Sequence, residues 1–303
     1  MQTPISEHAA LALPTATPSP LRLVYVWTKA IVLALVAFIP LFLINLPQGI
    51  LWLTRPFVPA IADWSGRFFA DRYWSYVVWL LQKVYKLRFD IECHPEHIPE
   101  GETVVLIANH QSYVDPLVLL TIARRFKAIG DLRFFVKDEL KYVPGPGWGM
   151  YFIDCIFLKR NWQQDAGNMQ KFFDRYKAKK YPTWIHIFPE GTRRTPKKQE
   201  ATAAYAKEKG REPLEHVLWP RTKGFTATLE GMGSHIKAVY DLTIIYPENK
   251  APGLWGVFLG NFRHIKVKMT RYPIEALPAT AEARSRWMVD LFYRKDALLE
   301  QGF

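Results

Sequence analysis

Residues 103–116 read TVVLIANHQSYVDP, and this stretch sets the architecture of the rest. Residues 103–108 are β-branched and aliphatic with no polar alternation, the pattern of a strand buried on both faces. The run stops at Asn109 and His110, and Pro116 opens a helical pattern over 116–126. The same switch recurs along the chain. Short apolar runs at 89–93, 134–136, 155–158, 183–188, 238–246 and 264–269 predict strands, and longer periods at 163–179, 222–232 and 280–299 predict helices. Strands alternating with helices make an α/β fold with a mostly parallel central sheet flanked by helices. In such a sheet, sites gather at the carboxyl ends of strands. Residues 195–213 are polar and charged without a clear period and are expected to form an exposed excursion. There is no internal repeat, Gly-rich phosphate loop or heptad pattern.

A length of 303 residues suffices for one large domain with a sizeable core. The chain is 49% hydrophobic and 15% aromatic, with 11 Trp, which excludes low-hydrophobicity disorder for its body. It is also basic, at +12, and a basic chain rich in Trp and Tyr suits an anionic partner, either nucleic acid or a membrane surface. Cys93 and Cys155 are too few for a disulfide framework and sit in apolar strand patterns, as core residues do.

The N-terminal third decides between these partners. Residues 1–20 lack Lys and Arg and are expected to be a disordered tail. Residues 30–54 then run without a charge between Lys29 and Arg55, long enough to cross a hydrocarbon core of about 30 Å. Pro40 and Pro47 leave two forms open, a kinked span and a re-entrant hairpin. Trp27, Trp52, Trp64 and Trp74 are expected as interfacial anchors. The run is far longer than the apolar region of a signal peptide, although Ala60-Ile61-Ala62 has the look of a cleavage site. Residues 21–87 are thus read as a membrane anchor with interfacial helices and 88–303 as the functional domain. Arg55, Arg67, Arg72, Lys83, Lys86 and Arg88 follow the run, against Arg22 and Lys29 before it. That asymmetry puts the domain on the cytoplasmic face, of a bacterial inner membrane or an endoplasmic reticulum.

Two constellations carry chemistry. His110 stands at the end of a buried strand, five residues before Asp115. Across a strand-to-helix turn the carboxylate can hold one ring nitrogen and stabilise the imidazolium that forms at the other. The alternative makes Asp115 a helix N-cap before Pro116 and His110 a turn residue. The second constellation, Pro189-Glu190-Gly191-Thr192-Arg193-Arg194, follows the strand at 183–188. Gly191 permits a tight turn, and Arg193 offers a planar fork suited to phosphate. Residues 159–198 hold eleven Lys/Arg against three Asp/Glu, so +8 of the net +12 lies there, which suits a phosphate-bearing ligand or an anionic bilayer. His110, Asp115, His186 and Glu190 lack a metal-binding spacing, and no metal is expected.

In order and spacing, four blocks resemble those of the lysophospholipid (acylglycerophosphate) acyltransferase family. They are Asn109-His110-x4-Asp115, then Gly147 to Arg160, then Phe188-Pro189-Glu190-Gly191-Thr192-Arg193, and last Leu218-Trp219-Pro220-Arg221-Thr222-Lys223-Gly224-Phe225. The fourth has a variant form similar to the gamma- and delta-type and lysocardiolipin subgroup. The second departs from the commonest pattern in having Lys159 before Arg160. The resemblance implies direct acyl transfer from acyl-CoA or acyl carrier protein to a lysophospholipid hydroxyl, lysophosphatidate by default, with no further cofactor. It implies His110 as general base oriented by Asp115, and acceptor binding by the Lys159-Arg160 block with Glu190, Gly191, Thr192 and Arg193. Pro220 and Arg221 would lie in the donor-binding block. The implied partners are the two substrates and the bilayer, without nucleic acid.

Overall fold

The computed structural model describes residues 20–94, 96, 98–159, 161–179, 181–253, 256–257 and 262–302. The tail expected at 1–20 therefore lies outside the described residues except for Pro20, which already starts helix α1 (Pro20–Trp52).

Seven strands form one sheet: β1 (Arg88–Glu92), β2 (Val104–Ala108), β3 (Leu132–Lys137), β4 (Ile156–Leu158), β5 (Trp184–Ile187), β6 (Ala238–Ile245) and β7 (His264–Pro273). Every expected strand is present. Their order is β1-β7-β6-β2-β5-β3-β4. The five strands from β6 to β4 run parallel, β7 runs antiparallel to β6, and β1 follows β7 in parallel. β2 lies at the centre, with all five residues buried. Side chains alternate between its faces. Val104, Leu106 and Ala108 join one apolar cluster, whereas Val105 and Ile107 join another. Helices α2 (Pro59–Trp79) and α3 (Asp115–Arg125) cover the first face. Helices α5 (Trp162–Lys177), α7 (Lys223–Met232) and α8 (Ala281–Gln301) cover the second. A short helix, α4 (Pro146–Phe152), follows β3. Its Gly147 has no room for a side chain, since a Cβ would lie 1.9 Å from the Leu140 carbonyl oxygen.

One expectation is corrected. The segment at 195–213 holds a helix, α6 (Pro196–Glu208), rather than a period-less excursion. Only Ala206 is fully buried, so there is no apolar stripe to read, but Pro at the first turn and an Ala/Lys/Glu-rich body favour helix on propensity. Its N-terminal turn is held by Gln199, whose amide donates to the carbonyls of Leu214 and Val217 (3.2 Å for the latter).

Of the two forms left open for the apolar segment, the re-entrant hairpin is not the one seen, since residues 30–52 hold no break. α1 is one continuous helix through Pro40 and Pro47, roughly 50 Å long, and α2 packs back against it. Proline removes the N–H that would bond the carbonyl four residues earlier. For Pro40 that carbonyl belongs to Val36, and Tyr76 of α2 donates its hydroxyl there at 2.8 Å. Tyr73 and Tyr85 likewise donate to the carbonyls of Ala37 (3.1 Å) and Leu33 (3.0 Å). Tyr73, Val77 and Val78 are also buried in the domain's core, so α2 is shared between α1 and the sheet. Trp27 and Trp64 are exposed, as interfacial anchors would be, whereas Trp74 is half-buried and Trp52 packs against Tyr151 and Phe152.

An ion-pair cluster locks the turn after α1 to the domain. Asp154 accepts from both Arg55 guanidinium nitrogens (2.8 and 2.6 Å), from Arg175 (2.9 Å) and from Lys179 (3.2 Å). Burial alone would raise its pKa, and the three cations overcome that and hold it at about 2.

Candidate active site

The carboxyl ends of β2, β3, β4, β5 and β6 share one edge of the sheet, and the chain leaves each of them into a polar loop. β2 leads into Asn109 and His110. Asn109 is buried and uses its amide to extend the ladder, donating to the Ile244 carbonyl at 2.9 Å and accepting from the Ile244 amide at 2.7 Å. This clamps the ends of β2 and β6 together. His110 is next, with 16% of its side chain exposed. Its ring lies flat on Phe188, with centroids 3.8 Å apart and an interplanar angle of 11°.

His110 and Asp115 meet across the turn as expected, with Nδ1 2.8 Å from Asp115 Oδ2. The same oxygen accepts the backbone amides of Gln111 (2.7 Å) and Ser112 (2.8 Å). The carboxylate thus faces back into the turn and does not cap α3, which disposes of the N-cap alternative. Acting as acceptor, it fixes the proton of the neutral ring on Nδ1 and leaves Nε2 as the nitrogen able to take one.

The loop after β5 wraps round the same histidine. Glu190 is 2% exposed, and its two carboxylate oxygens accept the amides of His110 (2.6 Å) and Leu218 (3.0 Å). Its carboxylate is thereby occupied inside the protein, joining the first, third and fourth sequence blocks. Burial pushes this carboxyl up to about 8, with the two amides and the Lys295 charge pulling the other way. Lys295 reaches in from α8, lies 2.5 Å from Asp241 and donates to the Leu242 carbonyl at 2.6 Å.

A carboxyl that ionises less readily when folded than when unfolded favours folding below its ordinary pKa, about 4.5, and loses that contribution as pH rises through about 8. The wild-type melting midpoint is therefore expected to fall between pH 6 and 9. Glu190→Gln should flatten that slope, and an equal slope in both proteins would show that Glu190 does not supply it.

Gly191 sits at φ +68°, and its amide closes a turn on the Phe188 carbonyl at 2.9 Å. A Cβ there would lie 3.2 Å from Arg221 Cδ, so the arginine of the fourth block rests on the glycine of the third. The Arg221 amide donates to the Pro189 carbonyl at 2.7 Å, and Pro220 is buried. Arg193 stacks its guanidinium on the Tyr113 ring, 3.3 Å from the centroid. Lys198 reaches Thr192 Oγ1 at 2.5 Å, and the Arg194 amide donates to the His110 carbonyl at 2.9 Å.

His110, Asp115, Glu190, Gly191, Thr192, Arg193, Pro220 and Arg221 are thus brought to one place. Lys159 follows β4 on the same edge but three strands from β2, roughly 14 Å across the sheet. Arg160 lies outside the described residues. His186 is buried, its Nδ1 3.1 Å from the Leu106 carbonyl, and burial together with the nearby His110 lowers it to about 3. Among the described residues no group of three or more His, Cys, Asp or Glu is placed to hold a metal ion. Cys155 is buried, and burial pushes its thiol up to about 11, while Cys93 is half-buried. Sequence reasoning quoted Asn109 and Phe188 without giving them a role and passed over Tyr246 and Lys295. Tyr246, a polar aromatic at the carboxyl end of a buried strand, donates to Asp115 Oδ1 at 2.5 Å.

The pattern described as Acyltransferase matches residues 90–246, and that described as Acyltransferase C-terminus matches residues 256–301. The chain is 31% identical to 1-acyl-sn-glycerol-3-phosphate acyltransferase 3 of Arabidopsis thaliana over 88% of its own length and 76% of that protein. It is 35% identical to the gamma enzyme of Mus musculus, over 66% of this chain, and 36% identical to the delta enzyme of Homo sapiens, over 67%. It spans about half of each of those two proteins (53%). The crystal structure of PlsC, the 1-acyl-sn-glycerophosphate acyltransferase of Thermotoga maritima, superposes with a TM-score of 0.51 at 17% identity. The superposition covers 88% of this chain and 98% of PlsC, a likeness of fold.

Proposed function

The chain belongs to the acyltransferase family, and from that membership we propose that it moves a fatty acyl group from a thioester donor to the sn-2 hydroxyl of lysophosphatidic acid, giving phosphatidic acid. The relatives named for this reaction support the acceptor. The observation that carries the chemistry is the His110 imidazole, held through Nδ1 by a fully buried Asp115 and partly open to solvent.

In this reading His110 Nε2 takes the proton of the acceptor hydroxyl as its oxygen attacks the thioester carbonyl. The tetrahedral intermediate collapses with loss of the C–S bond, and the imidazolium returns the proton to the departing thiolate. The products are the ester and a free thiol, and the imidazole is restored without an acyl-enzyme. Asp115 keeps the tautomer and stabilises the imidazolium. Holding hydroxyl and carbonyl together supplies a further part of the acceleration. Arg193, stacked flat on Tyr113, presents its edge N–H groups to the acceptor phosphate. Arg221, beside Gly191, adds positive charge on the side where the donor enters. Glu190 acts from inside, holding the amides of His110 and Leu218 in place. The donor is taken to be acyl-CoA or acyl carrier protein.

Membrane attachment belongs to the same proposal. α1 exposes Leu43, Leu46 and Ile50, and Leu53 follows in the turn, each more than 60% accessible. Tyr142 and, within α4, Trp148 and Tyr151 are exposed as well. Asn45 of α1 ties the two together by donating to the Gly145 carbonyl at 2.8 Å. α1 therefore adjoins the segment leaving β3, on the edge of the sheet that carries His110. The excess of basic residues after α1 supports a cytoplasmic position for the catalytic domain.

The test is transfer of labelled oleate from oleoyl-CoA, and from an acyl carrier protein thioester, to a panel of lysophospholipids. Labelled phosphatidate is the expected product, and a well-folded protein that labels no acceptor refutes the reading. Arg193→Ala should raise KM for lysophosphatidate about tenfold and change kcat much less, as loss of a charge-assisted contact made equally to ground and transition states does. An unchanged KM removes Arg193 from the acceptor site.

A further inference from the structure

The Asp115 carboxylate is completely enclosed, and its hydrogen bonds come from two sources. Oδ2 takes the His110 ring and the amides of Gln111 and Ser112, all from its own turn. Oδ1 takes the hydroxyl of Tyr246, 131 residues away in sequence and just past the end of β6. Tyr246 is fully buried, and its ring packs on Phe262. The position is built, since Asn109 bonds both backbone groups of Ile244, two residues earlier, and so sets where β6 ends beside the catalytic turn.

We propose that Tyr246 is a positioning residue of the catalytic relay: its hydroxyl, donated to Asp115 Oδ1, sets how strongly the carboxylate holds the His110 imidazolium. A hydrogen bond to an anion withdraws part of its charge and fixes its orientation. With the bond present, Asp115 orients the ring without holding the proton so firmly that the thiolate cannot recover it. Without it, the carboxylate carries its full charge in a buried site and can rotate. Burial and the Asp115 charge push the Tyr246 phenol well above its ordinary range, so it remains a proton donor wherever the enzyme works. The other ionisable groups facing the pair are Glu190 from the loop after β5, with Lys295 of α8 behind it, and His186 of β5. None of these reaches Asp115 Oδ1. The assignment rests on the acyl-transfer reading of the site.

The experiment is the pH dependence of kcat for oleoyl transfer to lysophosphatidate by the full-length wild type, Tyr246→Phe and Asp115→Asn in detergent–lipid micelles. Tyr246→Phe should lower kcat about tenfold, the effect of one hydrogen bond to a charged group, and leave KM for lysophosphatidate unchanged. Its acidic limb should move upward by about half a pH unit, because the uncompensated carboxylate keeps the base protonated to higher pH. Asp115→Asn should move the limb downward. A fall in kcat with the limb unmoved, or no change in either, overturns the assignment and leaves Tyr246 as packing. If Tyr246→Phe fails to fold, site-specific 3-fluorotyrosine at 246 keeps the shape and strengthens the donor. The limb should then move downward, and an unmoved limb overturns the proposal equally. A wild type that transfers no acyl group defeats the acyl-transfer reading itself, whereas an active wild type with matching profiles defeats only the role of Tyr246.

Discussion

Replacing His110 with alanine is expected to lower kcat for acyl transfer by roughly 10²–10⁴-fold, the range that a positioned general base supplies. The geometry leaves little room for a substitute. Cys155 is buried with a raised pKa, His186 is buried and held neutral, and the Glu190 carboxylate is occupied by two amides. KM for lysophosphatidate should change little, because Arg193, the group proposed to meet the phosphate, lies on the loop after β5 and keeps its own contact to Tyr113. Folding should survive as well. His110 contributes a stacked contact with Phe188, worth about 1 kcal/mol, and its backbone amide still reaches Glu190. Steady-state kinetics beside thermal unfolding decide the matter. A variant keeping a tenth of wild-type kcat would refute the role of His110, and one that unfolds would mark it as structural.

The second large effect is on stability. Asp154→Ala should destabilise the protein by about 3 kcal/mol, because it takes the shared carboxylate from Arg55 and Arg175 and leaves Lys179 with Asp63 alone (3.0 Å). Lys179 is 7% exposed and Arg55 20%, so water cannot readily take over the carboxylate's place. In detergent this corresponds to a melting midpoint lower by roughly 5–10 °C. The sign with pH is definite. The folded pKa, about 2, lies below the ordinary 3.8, so the contribution is present above pH 4 and is lost as pH falls through 2. Wild type should lose stability across that window, whereas Asp154→Ala should already have lost it and change less. A variant melting within 1 °C of wild type would show that the cluster does not hold the turn after α1 to the domain.

The sheet was legible because its central strands are buried on both faces and so appear as largely apolar runs. Residues 104–108 are the clearest case. The pairing of His110 with Asp115 was legible for a related reason: the strand end and Pro116 together force a turn between them. α6 was missed because a helix that buries only Ala206 leaves no periodic stripe, and only its composition speaks for it. The fate of Glu190 was illegible as well. The string gives a charged residue in a turn, and only the return of residues 217–221 against the end of β2 shows that the charge lies inside. Tyr246 was hidden by distance, since nothing local relates it to a turn 131 residues earlier.

The hydroxyls of Tyr73, Tyr76 and Tyr85 on the carbonyls of α1 bear on how the protein can be engineered. A helix that merely tethers an enzyme to lipid is an interchangeable part, and any apolar segment of similar length replaces it. Here the tether is keyed. A leucine-rich segment grafted over residues 30–52 would keep the chain at the membrane, but its regular backbone would use the Val36 carbonyl internally and leave the Tyr76 hydroxyl without its acceptor. Chimeras that exchange this helix alone should therefore misassemble, whereas exchanges that keep Pro40 should leave the Val36 carbonyl open to Tyr76.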